Sequence, residues 1–217
     1  GQLSRTRLTS MPGYSLVYNS LDSVQFPRDG IYAKFSQEFA GLGGDAKFIR
    51  TTVDGRYYRE LWADWGVVGM ARVRAGNIAG VGQKLEVLDN FFQGGETIRG
   101  FASQGIGPRD LTSNEALGGR NYWAATLEAS MPVPGTPEEF GLYVSGFADA
   151  GQLWSVDQRA LPAGLNWVDD NKVRASVGVG LLWRSPFGPL RADFGFPVSK
   201  SSYDQTQVFR FSGGTSF

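Results

Sequence analysis

The feature that most constrains this chain is a two-residue alternation of apolar and polar side chains, sustained over segments of about ten residues or more. Successive side chains of an extended strand point to opposite faces, so each such segment is committed to a strand with one apolar and one polar face. Residues 188–198 set Leu190, Ala192, Phe194, Phe196 and Val198 against Arg191, Asp193 and Gly195. Residues 173–184 set Val173, Ala175, Val177, Val179, Leu181 and Trp183 against Arg174, Ser176, Gly178, Gly180 and Arg184. Earlier, Trp123, Ala125, Leu127, Ala129 and Met131 oppose Tyr122, Thr126, Glu128 and Ser130, while Val67, Ala71 and Val73 oppose Arg72 and Arg74. Arg50, Thr52, Asp54, Arg56 and Glu60 share one face. A soluble sandwich could show such a face to water, but its strands usually run to about five or six residues. Strands of this length match the tilted span that crosses a bilayer, and Trp62, Trp65, Trp154 and Trp183 near strand ends suit interfacial girdles.

The pattern predicts an all-β, antiparallel transmembrane barrel with about eight or nine strands in one domain over residues 1–217. The strands are expected near 14–21, 31–41, 46–60, 63–78, 120–133, 140–155, 173–185, 188–198 and 206–217. Tight turns are expected at Leu42-Gly43-Gly44-Asp45 and Ser185-Pro186-Phe187-Gly188-Pro189, with extended loops at 79–119 and 156–172. The loop 79–119 is long enough to be functional, and its glycines, Gly94, Gly95, Gly100, Gly105, Gly107, Gly118 and Gly119, call for repeated sharp turns.

Composition narrows the chemistry. With neither Cys nor His in 217 residues, thiolate or imidazole metal sites and Ser-His or Cys-His catalysis are excluded. Lys plus Arg balance Asp plus Glu at 21 each, so no net field recruits nucleic acid. No phosphate-binding loop is present, and no cofactor is expected. The opening Gly1-Gln2-Leu3-Ser4-Arg5 has no apolar stretch, so neither a signal peptide nor a membrane helix is expected.

Within the long loop stands Gly94-Gly95-Glu96-Thr97-Ile98-Arg99-Gly100-Phe101, followed by Gly105-Ile106-Gly107-Pro108-Arg109-Asp110. This stretch resembles the sixth extracellular loop of the BamA family of outer-membrane assembly factors. The segments around Tyr14-Ser15-Leu16, Gln37-Glu38-Phe39 and Phe147-Ala148-Asp149-Ala150-Gly151 agree in order, the last being similar to the family's Phe-x-Asp-x-Gly strand. The resemblance implies a sixteen-stranded parent barrel, of which this chain aligns with about the eighth strand onward, without the POTRA domains. It also implies that the loop folds back into the barrel, where Arg99 pairs with an inward acid. Asp149 shares parity with Phe147 and Gly151, which makes it the expected partner; Glu128 and Asp193 are further inward candidates. Phe209, Phe211 and Phe217 would form the terminal strand, although Ser212 and Thr215 depart from the family's closing signal.

By the same resemblance the chain would fold and insert client β-barrels at a lateral seam beside its last strand, without being an enzyme. Its expected partners are the lipid bilayer, unfolded clients and accessory assembly lipoproteins, with self-association through open edges as a further route. The expected location is the outer membrane of a Gram-negative bacterium. A passive pore is the alternative, and an outer-membrane phospholipase is disfavoured because the chain has no His to serve as acid–base partner.

Overall fold

A computed structural model describes residues 11–41, 47–81, 87–186 and 188–213. Among the described residues thirteen strands are formed: β1 (Gly13–Asn19), β2 (Gly30–Ala40), β3 (Phe48–Trp62), β4 (Val67–Gly80), β5 (Gly100–Phe101), β6 (Arg109–Asp110), β7 (Asn121–Pro132), β8 (Leu142–Trp154), β9 (Trp167–Val168), β10 (Arg174–Ser185), β11 (Gly188–Ser199), β12 (Thr206–Gln207) and β13 (Phe209–Gly213). Nine of them build one antiparallel sheet in the order β1-β2-β3-β4-β7-β8-β10-β11-β13, each strand pairing with the next long strand in the chain. The four two-residue strands lie in the loops, as the pairs β12–β5 and β6–β9. No helix among the described residues is long and apolar enough to cross a membrane.

The sheet is apolar on its outside and polar on its inside. Leu127, Val73, Val179, Phe196 and Phe211 stand exposed on the outer face, Leu127 at 64% and Phe211 at 62%. Thr126, Ser145, Asp149, Ser176 and Asp193 are buried on the inner one. In water the outer face would be one large contiguous apolar patch, far beyond what a soluble monomer exposes. Against lipid it is the low-energy surface, so the fold is a transmembrane β-barrel sheet. Trp62, Trp65 and Trp183 cluster at the short-turn end, exposed, and Trp154 stands at the opposite, long-loop end. Among the described residues β1 and β13 are not paired with each other, and both are edges of the sheet.

One expected element differs from what forms. The segment 206–217 is not one strand: β12 leaves the main sheet to pair with β5 of the long loop, Thr206 opposite Phe101 and Gln207 opposite Gly100. Only β13 continues the sheet, with Phe209 opposite Phe194 and Leu190 opposite Gly213; Phe217 lies outside the described residues. Between β12 and β13 the Gly195 N–H of β11 donates to the Val208 carbonyl at 2.8 Å. The long loop itself is not an open excursion. Ile98, Phe101 and Ile106 form a buried cluster, and Arg109 and Asp110 are buried beside it.

Candidate functional site

The loop enters the lumen through a tight turn. The Ile98 N–H donates to the Gly94 carbonyl at 2.8 Å, and the Thr97 hydroxyl donates to the same oxygen at 2.9 Å. Two arginines on the inner faces of β3 and β4 grip the loop backbone: Arg50 donates to the Asp89 carbonyl at 2.8 Å, and Arg74 to the Glu96 and Thr97 carbonyls at 3.3 Å. Gly100 then turns at φ +92° against Gly195 of β11. A Cβ on Gly195 would lie 2.6 Å from the Gly100 nitrogen, and one on Gly151 would lie 2.8 Å from Ile98 Cδ1. The loop is therefore seated on bare backbone at two strands, which any larger side chain would push away.

This seat presents Arg99 to the lumen wall. Its Nε and Nη2 donate to the two oxygens of Asp149 at 2.8 and 2.9 Å, and its own backbone N–H adds a third bond to Asp149 at 3.0 Å. Its Nη1 donates to Glu128 at 2.6 Å and stands 3.7 Å from Asp193. The guanidinium lies over the Phe147 ring, 3.4 Å from its centroid. Arg191 completes the cluster, binding Asp193 at 2.8 Å and both Glu128 oxygens at 2.9 and 3.0 Å. Five charged side chains from the loop, β7, β8 and β11 thus share one buried patch. The planar fork of arginine suits the task, because it reaches two carboxylates in fixed directions while its face covers an aromatic ring.

The structure brings Ile98, Arg99, Gly100, Phe101, Phe147, Asp149 and Gly151 into one place. Phe209 and Phe211 lie elsewhere: they stand on the outer face, with Phe209 5.1 Å from the Phe194 ring. Arg210 between them points inward and reaches Glu96 at 3.2 Å. Alternation alone assigned Arg191 and Gly195 to the lumen, but nothing in the sequence marked the first as a bridge or the second as a seat. Arg50 and Arg74 are likewise more than generic lumen charges.

A second cluster ties the long loops together at the end of β10. Arg174, fully buried, donates to both Asp204 oxygens at 3.0 Å, to Asp170 at 2.9 Å and to the Tyr203 hydroxyl at 3.1 Å. Ser201 donates to Asp170 from the neighbouring loop. Burial alone would raise the Asp170 carboxyl, but hydrogen bonds from Ser201, Tyr203 and the Lys172 N–H, with the Arg174 charge, bring it down to about 2. Burial and that same carboxylate push the Tyr203 phenol up to about 12.

Residues 2–217 match the model of the Omp85 superfamily domain. The chain belongs to the Omp85 superfamily. As an Omp85 domain it is 36% identical to the outer membrane protein assembly factor BamA of Neorickettsia risticii, over 95% of this chain and 27% of that protein. It is 31% identical to BamA of Nitratidesulfovibrio vulgaris, over 97% of this chain and 26% of the relative. It is also 32% identical to the human sorting and assembly machinery component 50 homolog, over 82% of this chain and 38% of that one. Among solved structures, BamA from Haemophilus ducreyi lacking POTRA domains 1–3 superposes with a TM-score of 0.79 at 26% identity, covering 92% of this chain and 41% of that one. The chain thus spans about a quarter of the length of the bacterial relatives it matches. This Omp85 sheet is part of an outer-membrane β-barrel.

Proposed function

We propose that residues 1–217 are one barrel domain of an outer-membrane assembly factor, which folds and inserts other β-barrel proteins through the edge at its last strand. The Arg99 anchorage carries this reading: Ile98-Arg99-Gly100-Phe101 is held on Phe147, Asp149 and Gly151, so the loop is a fixed part of the lumen wall beside β11. The loop in turn pairs with β12, immediately before β13. In this way the seat fixes the chain that leads into the edge strand, where Phe209 and Phe211 face lipid. An edge strand held in register offers unpaired backbone groups to an incoming client strand, which adds by β-augmentation. The driving force is the client's own folding into lipid, so no bond-making chemistry is required of the chain and it is not an enzyme. Its partners on this reading are the bilayer, unfolded clients, and the accessory lipoproteins of the assembly complex, with pairing between copies available to the open edges.

The test is insertion of a client β-barrel into liposomes by the full-length protein, read by heat-modifiable gel mobility. Arg99→Ala is expected to abolish insertion while the protein remains in the membrane. Steady ion conductance with no client insertion by the unaltered protein would replace this reading with that of a passive pore.

A further inference from the structure

The outer wall carries a shallow apolar groove of about 450 Å³ that the lumen site does not use. Its floor is a row of small residues aligned by strand pairing: Gly69 of β4 opposite Ala129 of β7, and Ala129 opposite Gly146 of β8. Tyr57, Leu127 and Ala148 form one bank, and Leu61 lies over Gly69. At the end of the row, opposite Gly69, stands Arg59 of β3. A charged side chain on a lipid-facing wall is costly unless its head meets water or an anion. Arg59 lies three residues from Trp62, in the exposed tryptophan band at the short-turn end. Its contact is Asp29 at 3.4 Å, with both side chains more than half exposed, and such a pair contributes little.

We infer that this groove is a binding site for one bilayer phospholipid, its acyl chain lying over Ala129 and Gly146 beside Leu61 and its phosphate on Arg59. The occupant follows from the setting. A recess on a barrel's outer wall is covered by hydrocarbon, and the cation at its end complements the phosphate that every phospholipid carries at interfacial depth. Retention of a single lipid against detergent would distinguish this site from the rest of the wall.

Gly146 gives a clean test, because a Cβ there meets nothing within 4 Å, so Gly146→Leu fills the groove without displacing the barrel. Gly55, also on the outer face and with only the Val73 carbonyl at 3.9 Å, provides the control Gly55→Leu outside the groove. Native mass spectrometry of the full chain in detergent, after incubation with phosphatidylglycerol or with diacylglycerol of the same chains, reads the bound lipid. One phosphatidylglycerol per chain is expected for the parent protein and for Gly55→Leu. Gly146→Leu should retain about tenfold less, corresponding to the loss of roughly two buried methylene contacts. Arg59→Gln should weaken phosphatidylglycerol and leave diacylglycerol unchanged. Full retention by Gly146→Leu, equal loss in both leucine variants, or no lipid on the parent chain would overturn the site. Equal effects of Arg59→Gln on the two lipids, or none on either, would overturn the phosphate assignment.

Discussion

Two arginine clusters of this molecule, around Arg99 and around Arg174, are built from the same groups yet join very different parts of it. Arg174 collects Asp170, four residues away, and Asp204, thirty away, so it clamps two loops that already flank its own strand. Arg99 collects Glu128, Asp149 and, with Arg191, Asp193, so it ties a loop to three strands across the lumen. The difference teaches that equal chemistry need not carry equal consequence. A local clamp orders what the chain would keep nearby anyway, whereas the lumen cluster helps to decide where a long loop goes.

Replacing each hub separates the two roles. Arg99→Ala leaves three acids with one arginine in a buried patch, and is expected to lower stability by about 3–5 kcal/mol, as for other broken buried pairs. Urea unfolding in detergent, with proteolysis of the loop 87–119, measures it. Arg174→Met should cost a comparable amount when unfolding is followed at the long-loop end, yet leave client insertion and the protection of the Arg99 loop intact. If Arg174→Met released the lumen loop as fully as Arg99→Ala, the division of labour would be wrong.

A smaller effect is expected at the seat. Gly195→Ala places a methyl against Gly100 and should shift the loop at about 1–3 kcal/mol, with no charge altered. A loop still as protected as in the parent chain would mean that the ion cluster, not the bare backbone, sets its position. The smallest effect is confined to the outer clamp. The Asp170 carboxyl is depressed in the folded state to about 2, so its contribution is complete above the ordinary carboxylate range near pH 4 and is lost as pH falls toward 2. Hydrogen exchange of residues 167–174 and 200–207 should therefore accelerate between about pH 4 and 2 in the parent chain, and Asp170→Asn should remove that dependence.

Much of this architecture is legible in period-two alternation, because a strand's faces follow from its own residues. The outward row Leu190 to Val198 and the inward Asp149 need no knowledge of their neighbours. The Arg99–Asp149 contact was within reach once the loop motif was set beside that inward row. What alternation could not supply is distance across the lumen. Arg191 bridging to Glu128, Gly195 receiving Gly100 and Arg74 holding the loop carbonyls all depend on how far the sheet curls, and curvature has no two-residue signature. The splitting of 206–217 has the same origin, since β12 is drawn off by a partner a hundred residues earlier.

The composition of the lumen cluster has a consequence for how the loop could ever let go. Glu128, Asp149 and Asp193 outnumber Arg99 and Arg191 by one acid, and withdrawing Arg99 leaves an excess of two. Disengagement therefore leaves acids that repel one another across the patch. Raising the ionic strength, which screens both the pairs and that repulsion, should shift the balance toward the released loop, making the lock a salt-responsive element as well as a mechanical one.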